Sequence, residues 1–357
     1  MTSGRPTIAD VARRAGVSKG AVSFALNDRP GVSPATRKRI LGAADDLAWR
    51  PNLRARALPA RRAYAIGLVV ARPARLLGSD PFFAAFIAGV ELELAERDLA
   101  LVLQVVPDAA AETAGYRRLA ADGRVDGVLL TDVLNEDPRI ALLQELGLLA
   151  VTLGRPELAS PFPAVIEDDA AGIQAAVRHL VGLGHTRIGH VAGPDQFIHG
   201  RRRREAWRSA VVSHGLAPGP SRRADFSPTS GARGTTALLR LAEPPTAIVF
   251  ANDLMAIAGI GAAHRLGLAV PRDLSVTGFD DTLLAAHVSP SLTTVQVDAV
   301  AWGRVATSTL LRLVAEGSSN DIPMPAPRLV IRESTGRPAR ASTADQARVP
   351  ARLSNPE

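Results

Sequence analysis

At 357 residues the chain is too long for one ordinary core, so two or three domains are expected. Its 46% hydrophobic and 22% charged residues fit a soluble globular protein, no apolar run approaches the ~18 residues of a membrane span, and the absence of cysteine excludes disulfides and thiolate metal sites. The net charge of +7 is unevenly placed: residues 1–62 hold thirteen Lys/Arg against four Asp, a net +9, which leaves −2 for the remainder. A basic end on a near-neutral body points to a polyanion met by that end, although a merely soluble basic surface has the same composition.

The first fifty residues read as three helices. Thr7-Ile8-Ala9-Asp10 has the capping-box spacing, and a helix follows to Ala15. Gly16 stops it, where the backbone needs a positive φ. Ser18 caps a second helix through about Asn27. Ser33 caps a third, with Pro34 at its first position, where no amide hydrogen is needed. The inward face of the third is expected to be Ile40, Leu41, Ala44 and Leu47. Pro51-Asn52 breaks the chain, and a short segment, Leu53–Leu58, precedes Pro59.

From Tyr64 strand-like runs alternate with amphipathic helical stretches. Strands are expected at Ala65–Val70, Leu99–Val106, Val125–Thr131 and Leu149–Leu153, with helices at Phe82–Arg97, Glu112–Ala121 and Pro138–Leu146 between them. After Pro163 the alternation resumes. Helices are expected at Gly172–Leu183, Arg202–His214, Ala232–Leu241 and Leu254–Leu266, and strands at Arg187–Ala192, weakly near Arg223–Phe226, at Thr246–Ala251 and at Leu274–Gly278. Two such series imply two similar lobes built on parallel sheets, with a ligand cleft beyond the carboxyl ends of the strands. The tail from Gly336 is rich in Arg, Ala, Pro and Ser and reads as disordered.

The most specific signal is Ile8-Ala9-Asp10-Val11-Ala12-Arg13-Arg14-Ala15-Gly16-Val17-Ser18 followed by Val22-Ser23, a helix-turn-helix pattern. Small Ala12 lets two helices approach, Gly16 makes the turn, and Val17 and Val22 seat the second helix on the first. That helix would enter the major groove, with Lys19, Gly20, Ala21 and Phe24 on its exposed face and Ser18 and Ser23 toward phosphates. With Leu26-Asn27, Val32-Ser33, Thr36-Arg37, Pro51-Asn52 and Ala55-Arg56-Ala57-Leu58, the first ~60 residues resemble the headpiece of the lactose-repressor (LacI/GalR) family of transcription factors. The resemblance continues through His179-Leu180, Gly184-His185, Ala251-Asn252-Asp253, Gly278-Phe279-Asp280-Asp281, Leu292-Thr293-Thr294-Val295 and Arg332-Glu333-Ser334-Thr335.

The resemblance implies a helix-turn-helix domain at 1–50 and a hinge helix and linker at 51–62. It implies a two-lobed, periplasmic-binding-protein-like α/β sensor at 63–336, and a disordered tail at 337–357. The lobes would divide at about 63–165 plus 298–327 and 166–294 plus 328–336. Implied DNA contacts are Thr7, Ser18, Lys19, Gly20, Ala21, Ser23, Phe24, Asn27 and Arg37, with Asn52, Arg54, Ala55, Arg56 and Leu58 from the hinge. Leu58 aligns with a leucine that wedges into the minor groove, the alternative being that it starts the core. Phe24 departs from the basic or polar residue many members carry there. It cannot bond a guanine edge but can pack on a thymine methyl. Lys19 and Gly20 also depart, and Pro59 follows the hinge.

For the cleft, Arg203 matches an arginine that forks onto effector oxygens, although Arg201, Arg202, Arg203 and Arg204 could equally form one solvated face. Asn252, Asp253 and Asp280 follow strand ends, with helix capping as the alternative for Asp253. Asp80, Phe82 and Phe83 follow the first strand, and Phe83 could instead be core. Trp207 reads as core. Gly182-Leu183-Gly184 follows a helix rather than a strand, the wrong context for a dinucleotide site. No nucleophile–base pair or metal spacing stands out, so neither an enzyme nor a cofactor is expected. The expectation is a cytoplasmic, nucleoid-bound homodimer, without a membrane, that answers to a small-molecule effector such as a sugar and binds double-stranded operator DNA, most members of the family being repressors. The lack of a leucine heptad in 337–357 favours dimer over tetramer.

Overall fold

The computed structural model describes residues 6–26, 30–49 and 62–339. The chain divides into two compact units between Tyr64 and Ala65. The smaller unit contains α1 (Ile8–Ala15), α2 (Lys19–Leu26) and α3 (Pro34–Asp46). At the start of α1 the Asp10 carboxylate accepts hydrogen bonds from both the amide (2.9 Å) and the hydroxyl (2.7 Å) of Thr7. Gly16 sits at φ 62°, as the turn requires, and its neighbour Val17 donates back to the Ala12 carbonyl at 3.0 Å. Ser18 accepts from the Ala21 amide and Ser33 from the Thr36 amide, so both hydroxyls act as the caps the sequence suggested.

The core of this unit is Val11, Ala12, Ala15, Val22, Ala25, Ile40, Ala43 and Ala44. Leu41 is not among them. It is 44% exposed, and Ala43 takes the inward place, because successive positions on a helix turn by 100° and Ile40, Ala43 and Ala44 already close the face. The predominance of alanine lets α1, α2 and α3 pack closely.

The larger unit holds two six-stranded sheets. The first runs β11-β5-β4-β3-β1-β2 and contains β1 (Ala65–Ala71), β2 (Ala100–Val106), β3 (Gly127–Leu130), β4 (Ala150–Leu153), β5 (Ala164–Ile166) and β11 (Ile322–Pro323). The second runs β12-β10-β9-β8-β6-β7 and contains β6 (Ile188–Ala192), β7 (Ser221–Arg223), β8 (Ala247–Phe250), β9 (Ser275–Asp280), β10 (Thr293–Gln296) and β12 (Arg328–Val330). All pairs are parallel except β10 with β12. The chain passes between the sheets after β5, after β10 and after β11.

Helices cover both faces. Around the first sheet lie α4 (Ala74–Ser79), α5 (Pro81–Ala95), α6 (Ala109–Ala121), α7 (Pro138–Glu145) and α12 (Ala299–Glu316). Around the second lie α8 (Asp169–Gly182), α9 (Ile198–Ser213), α10 (Pro228–Leu239) and α11 (Asp253–Arg265). Strand alternation sorts the cores. Ile66, Leu68 and Val70 of β1 pack beneath α5 and α12, while Val69 faces Tyr116 and Leu119 of α6. In β8, Ala247 and Val249 join Ala206 and Trp207, whereas Ile248 and Phe250 join Met255 and Ile260. Trp207 is therefore core, and it stacks on buried His190 with centroids 5.2 Å apart.

Candidate ligand cleft and nucleic-acid interface

In the small unit, α2 buries Val22 and Ala25 and turns its other side outward. Lys19, Gly20 and Phe24 are exposed, Phe24 by 41%, while Ala21 and Ser23 are half-buried beside them. Ser18 and Thr7 are exposed, and Arg37 on α3 is half-buried. Asn27, Asn52, Arg54, Ala55, Arg56 and Leu58 lie outside the described residues, as do the segment 51–61 and the tail from 340. The described part thus presents a short helix whose outward side carries one cation, a hydroxyl and an aromatic ring, with no acid on it.

In the large unit a cleft of about 710 Å³, counted with its open mouth, lies at the carboxyl ends of the strands. Arg72 follows β1, Thr131 and Asp132 follow β3, Gly154 follows β4, and Glu167 and Asp169 follow β5. Asn252 follows β8, and Asp280 ends β9. Phe82, Phe83 and Trp302 line one side, and His199 and Phe226 the other. Both lobes therefore contribute, as the strand-end rule requires.

Two buried guanidiniums organise the polar part. Arg72 grips Asp132 through two bonds of 2.6 Å and reaches Asp80 at 3.2 Å. It also lies over the Phe83 ring, 4.9 Å from the centroid. Arg203, 6% exposed, donates to Asp169 at 2.6 Å and to the Ala251 carbonyl at 2.8 Å, stacks on Phe279 at 3.6 Å and lies 3.9 Å from Asp280. Its neighbours do otherwise: Arg201 pairs with Glu157, Arg204 with Asp195, and Arg202 bonds the Arg155 carbonyl, all half-buried. The four arginines are thus not one solvated face.

The carboxyls differ by environment. Burial would raise Asp132, but Arg72 outweighs it and holds the group below its ordinary range. Burial raises Asp80 despite Arg72, and raises Asp280 well above the usual range against the pull of Arg203. Burial, with Asp169 adding to it, pushes Glu167 up to about 8. Its Oε2 is enclosed and has no hydrogen-bond partner, and neither has the indole nitrogen of Trp302. His199, stacked between Phe197 and Phe226, is pushed down to about 4 by burial, so it is a neutral ring near pH 7. Asp280 adopts φ 120° and Asp281 φ 54°, backbone conformations that non-glycine residues avoid, at the strand end that enters the cleft.

Of the residues singled out by sequence, Asp80, Phe82, Phe83, Arg203, Asn252 and Asp280 come together on this cleft. Phe83 serves as both wall and core, 2% exposed. Asn252 caps α11 by accepting from Met255, and its amide donates to the Phe226 carbonyl. Asp253 is the exception. Its carboxylate is fully buried and accepts from the amide (2.7 Å) and hydroxyl (3.0 Å) of Thr282 and from the Thr294 hydroxyl (2.5 Å). It is not part of the lining, because those three donors consume it. Sequence reasoning missed Arg72, Asp132, Glu167, Asp169, His199, Phe226 and Trp302. The strand-end rule applied to β1, β3 and β5 would have found the first four, whereas nothing local marks Trp302, which arrives from α12.

Residues 7–52 match the family described as bacterial regulatory proteins, lacI family, and residues 177–335 match a periplasmic binding protein-like domain. The chain is 34% identical over 305 residues to the HTH-type transcriptional regulator CelR of Thermobifida fusca, spanning 84% of this chain and 89% of that one. It is 32% identical over 335 residues to the HTH-type transcriptional repressor PurR of Photobacterium profundum, spanning 92% and 98%. Among solved structures, a transcriptional regulator CelR–cellobiose complex superposes with a TM-score of 0.71 at 32% identity, covering 92% of this chain and 100% of that one. A lac repressor dimer bound to operator and the anti-inducer ONPF superposes with a TM-score of 0.81 at 28% identity, covering 93% and 100%.

Proposed function

The chain belongs to the LacI family of bacterial regulatory proteins, and from that premise we propose that it is a homodimeric transcriptional repressor whose operator affinity is set by a sugar-like effector held in the cleft between the two sheets. As a family member it is a DNA-binding transcriptional regulator. The finer reading rests above all on one observation: a cleft of about 710 Å³ combines aromatic walls with buried, fixed hydrogen-bonding groups. Such a cleft suits a ligand with apolar ring faces and many hydroxyls. CelR, a relative, has a structure described as a cellobiose complex, which supports a sugar here as well.

In this reading Arg203 and Asp280 bond ligand hydroxyls, Asn252 and Asp80 set the edges, and Phe82, Phe83, Phe226 and Trp302 cover the ring faces. Lys19, Gly20, Ala21 and Phe24 meet a major groove, with Thr7, Ser18, Ser23 and Arg37 on phosphates and the hinge segment, Leu58 included, in the minor groove. Two headpieces of a dimer read a roughly palindromic operator. The protein works in the cytoplasm and catalyses no reaction, in keeping with relatives that are regulators. Effector binding changes operator affinity because the ligand prefers one lobe arrangement.

The test is a thermal-shift screen against mono- and disaccharides, followed by gel shifts on selected DNA with and without each hit. A sugar that raises Tm by several degrees and changes operator affinity, with both effects lost in Arg203→Ala and Asp280→Ala, supports the reading. DNA binding that no sugar alters would overturn the sugar part, and no sequence-selective DNA binding would overturn the whole.

A further inference from the structure

We propose that the cleft rejects anionic ligands, that its effector is an uncharged or amine-bearing polyol rather than a phosphorylated or carboxylated one, and that Glu167 sets this selectivity. The inference rests on the sugar reading above and adds a charge class to it. Five carboxyl groups line the cleft: Asp80, Asp132, Glu167, Asp169 and Asp280. Two buried guanidiniums stand among them, and both are committed, Arg72 to Asp132 and Asp80, and Arg203 to Asp169. Arg202, the remaining cation of the lining, donates to the Arg155 carbonyl. His199 is neutral near pH 7. Carboxyl groups therefore outnumber guanidiniums. Arg72 spends all three of its nitrogens on Asp132 and Asp80, and Arg203 spends Nε on Asp169 and Nη1 on the Ala251 carbonyl. Arg203 keeps Nη2 for a ligand hydroxyl, but neither residue offers a free Nε–Nη2 fork to a phosphate or carboxylate, the arrangement such groups need when desolvated.

Glu167 is the sharpest case. It is 9% exposed, and its enclosed Oε2 lacks any hydrogen-bond partner. It follows β5, where the chain leaves the first sheet, so it stands between the lobes. The charges around it are Asp168 and Asp169 at the start of α8, Arg203 from α9, and Asp280 from β9. A ligand hydroxyl or ammonium satisfies this orphaned oxygen, whereas a ligand anion adds a further negative charge beside it. Because burial and Asp169 hold Glu167 at about 8, its own negative charge appears only as the pH rises through that value. Discrimination against anions must therefore grow with pH.

The experiment is isothermal calorimetry of the full chain with cellobiose, maltose, their aldonates and the chitosan disaccharide, at pH 6.5 and pH 9. Aldonates are ionised at both values and their opened terminal ring is the same at both. For each neutral sugar and its aldonate only the protein therefore titrates, and the change of the ratio with pH isolates the charge effect. The chitosan disaccharide, whose own amines lose protons over this range, is read at pH 6.5. The expected result is that a neutral or amine-bearing disaccharide binds at least tenfold more tightly than the matching aldonate. The ratio should widen at least fivefold between the two pH values in wild type. It should widen clearly less in Glu167→Gln, where Asp280 is left as a carboxyl that burial holds well above its ordinary range. An equal widening in Glu167→Gln overturns the part assigned to Glu167. An aldonate that binds as tightly as its neutral parent at pH 9 overturns the proposal, as does a ratio in wild type that does not change with pH. The wild-type pH series decides the matter even if Glu167→Gln fails to fold. A screen in which no sugar of any charge binds removes the sugar reading itself, and this proposal with it.

Discussion

Asp253 shows how a residue can serve a ligand site without facing it. Its carboxylate takes three hydrogen bonds from Thr282 and Thr294 and lies beneath the strand end that carries Asp280. Gly278 is glycine for the same reason, since a Cβ there would come within 2.2 Å of the Asp253 carboxylate. The two motifs read from the sequence as separate candidates, Asn252-Asp253 and Gly278-Phe279-Asp280-Asp281, are therefore one construction. One half presents Asp280 and the other holds it. Asp281 completes the bracing by accepting from Arg332 at 2.6 Å and from Gln296 at 2.9 Å, which sustains the positive φ of both aspartates. Removing the Asp253 carboxylate leaves buried donors without partners, a cost of about 1–3 kcal/mol. Asp253→Ala should accordingly lower the urea midpoint and weaken effector binding together, although the side chain lies outside the lining. Urea melts and an effector titration check this, and an unchanged midpoint would show that the three donors find other partners. Sequence could not separate these roles, because an aspartate after a strand is equally a cap, a brace or a ligand group. Only its partners, 29 and 41 residues away in the chain, distinguish them.

At the scale of single elements, hydrophobic periodicity located the three described helices of the small unit and most of those of the body, but it placed several starts too late. The helix expected from Glu112 begins at Ala109, that expected from Gly172 at Asp169, and that expected from Ala232 at Pro228. In each case an Asp or Ser accepts from an amide of the first turn, Asp108, Asp168 and Ser227 respectively, ahead of the first apolar position. Periodicity reports where a helix touches the core, while caps report where it begins. The weak strand expected near Arg223–Phe226 is instead Ser221–Arg223, an edge strand whose backbone pairing with β6 needs no apolar pattern. In α2 the same logic divides reading from seating. Val22 and Ala25 hold the helix to its unit, so Phe24 is left outward with 41% of its surface exposed. Phe24 can gain only apolar contact with a base edge, whereas Lys19 on the same face brings a charge whose attraction to DNA falls with salt. Phe24→Ala should relax the preference for one base pair in each half-site, a T·A pair, and leave the salt dependence of binding as it was. Selection from a randomised library, with binding measured across salt, tests this. A change in salt slope without a change in preference would place Phe24 away from the bases.

For the large unit as a whole, the architecture was legible because alternating β and α segments allow few topologies. The cleft was legible in the second lobe where a strand end and a recognised motif coincided, and in the first lobe at Asp80, Phe82 and Phe83, read from their place after the first strand. Arg72 and Asp132 went unread because a single charged residue after an apolar run has no pattern of its own. What the sequence could not reveal at all is the seam between the lobes. The segment after β3 meets the segment before α9: Asn135 donates its amide to the Gln196 carbonyl at 3.1 Å, Ile198 donates to Val133 at 3.0 Å, and the Asn135 side chain donates to the Asp195 carbonyl at 2.8 Å. Leu134 and Phe197 form an antiparallel bridge there. An effector can shift operator affinity only through a difference between lobe arrangements, and these bonds belong to the arrangement in which the cleft has both its walls. Asn135→Ala removes the side-chain bond and keeps the backbone pair, a loss of about 1 kcal/mol, or roughly fivefold in the balance of arrangements. If the effector selects this arrangement, its affinity should fall by up to about that factor, the full fall being reached when this arrangement is the minor one without effector. By reciprocity, operator affinity without effector should move in the direction opposite to the change the effector causes. Anisotropy titrations of a selected operator with wild type and Asn135→Ala, each with and without effector, measure all the equilibria needed. Weaker effector binding with operator affinity unmoved would show that the seam shapes the ligand site alone and that the signal to the headpiece takes another route.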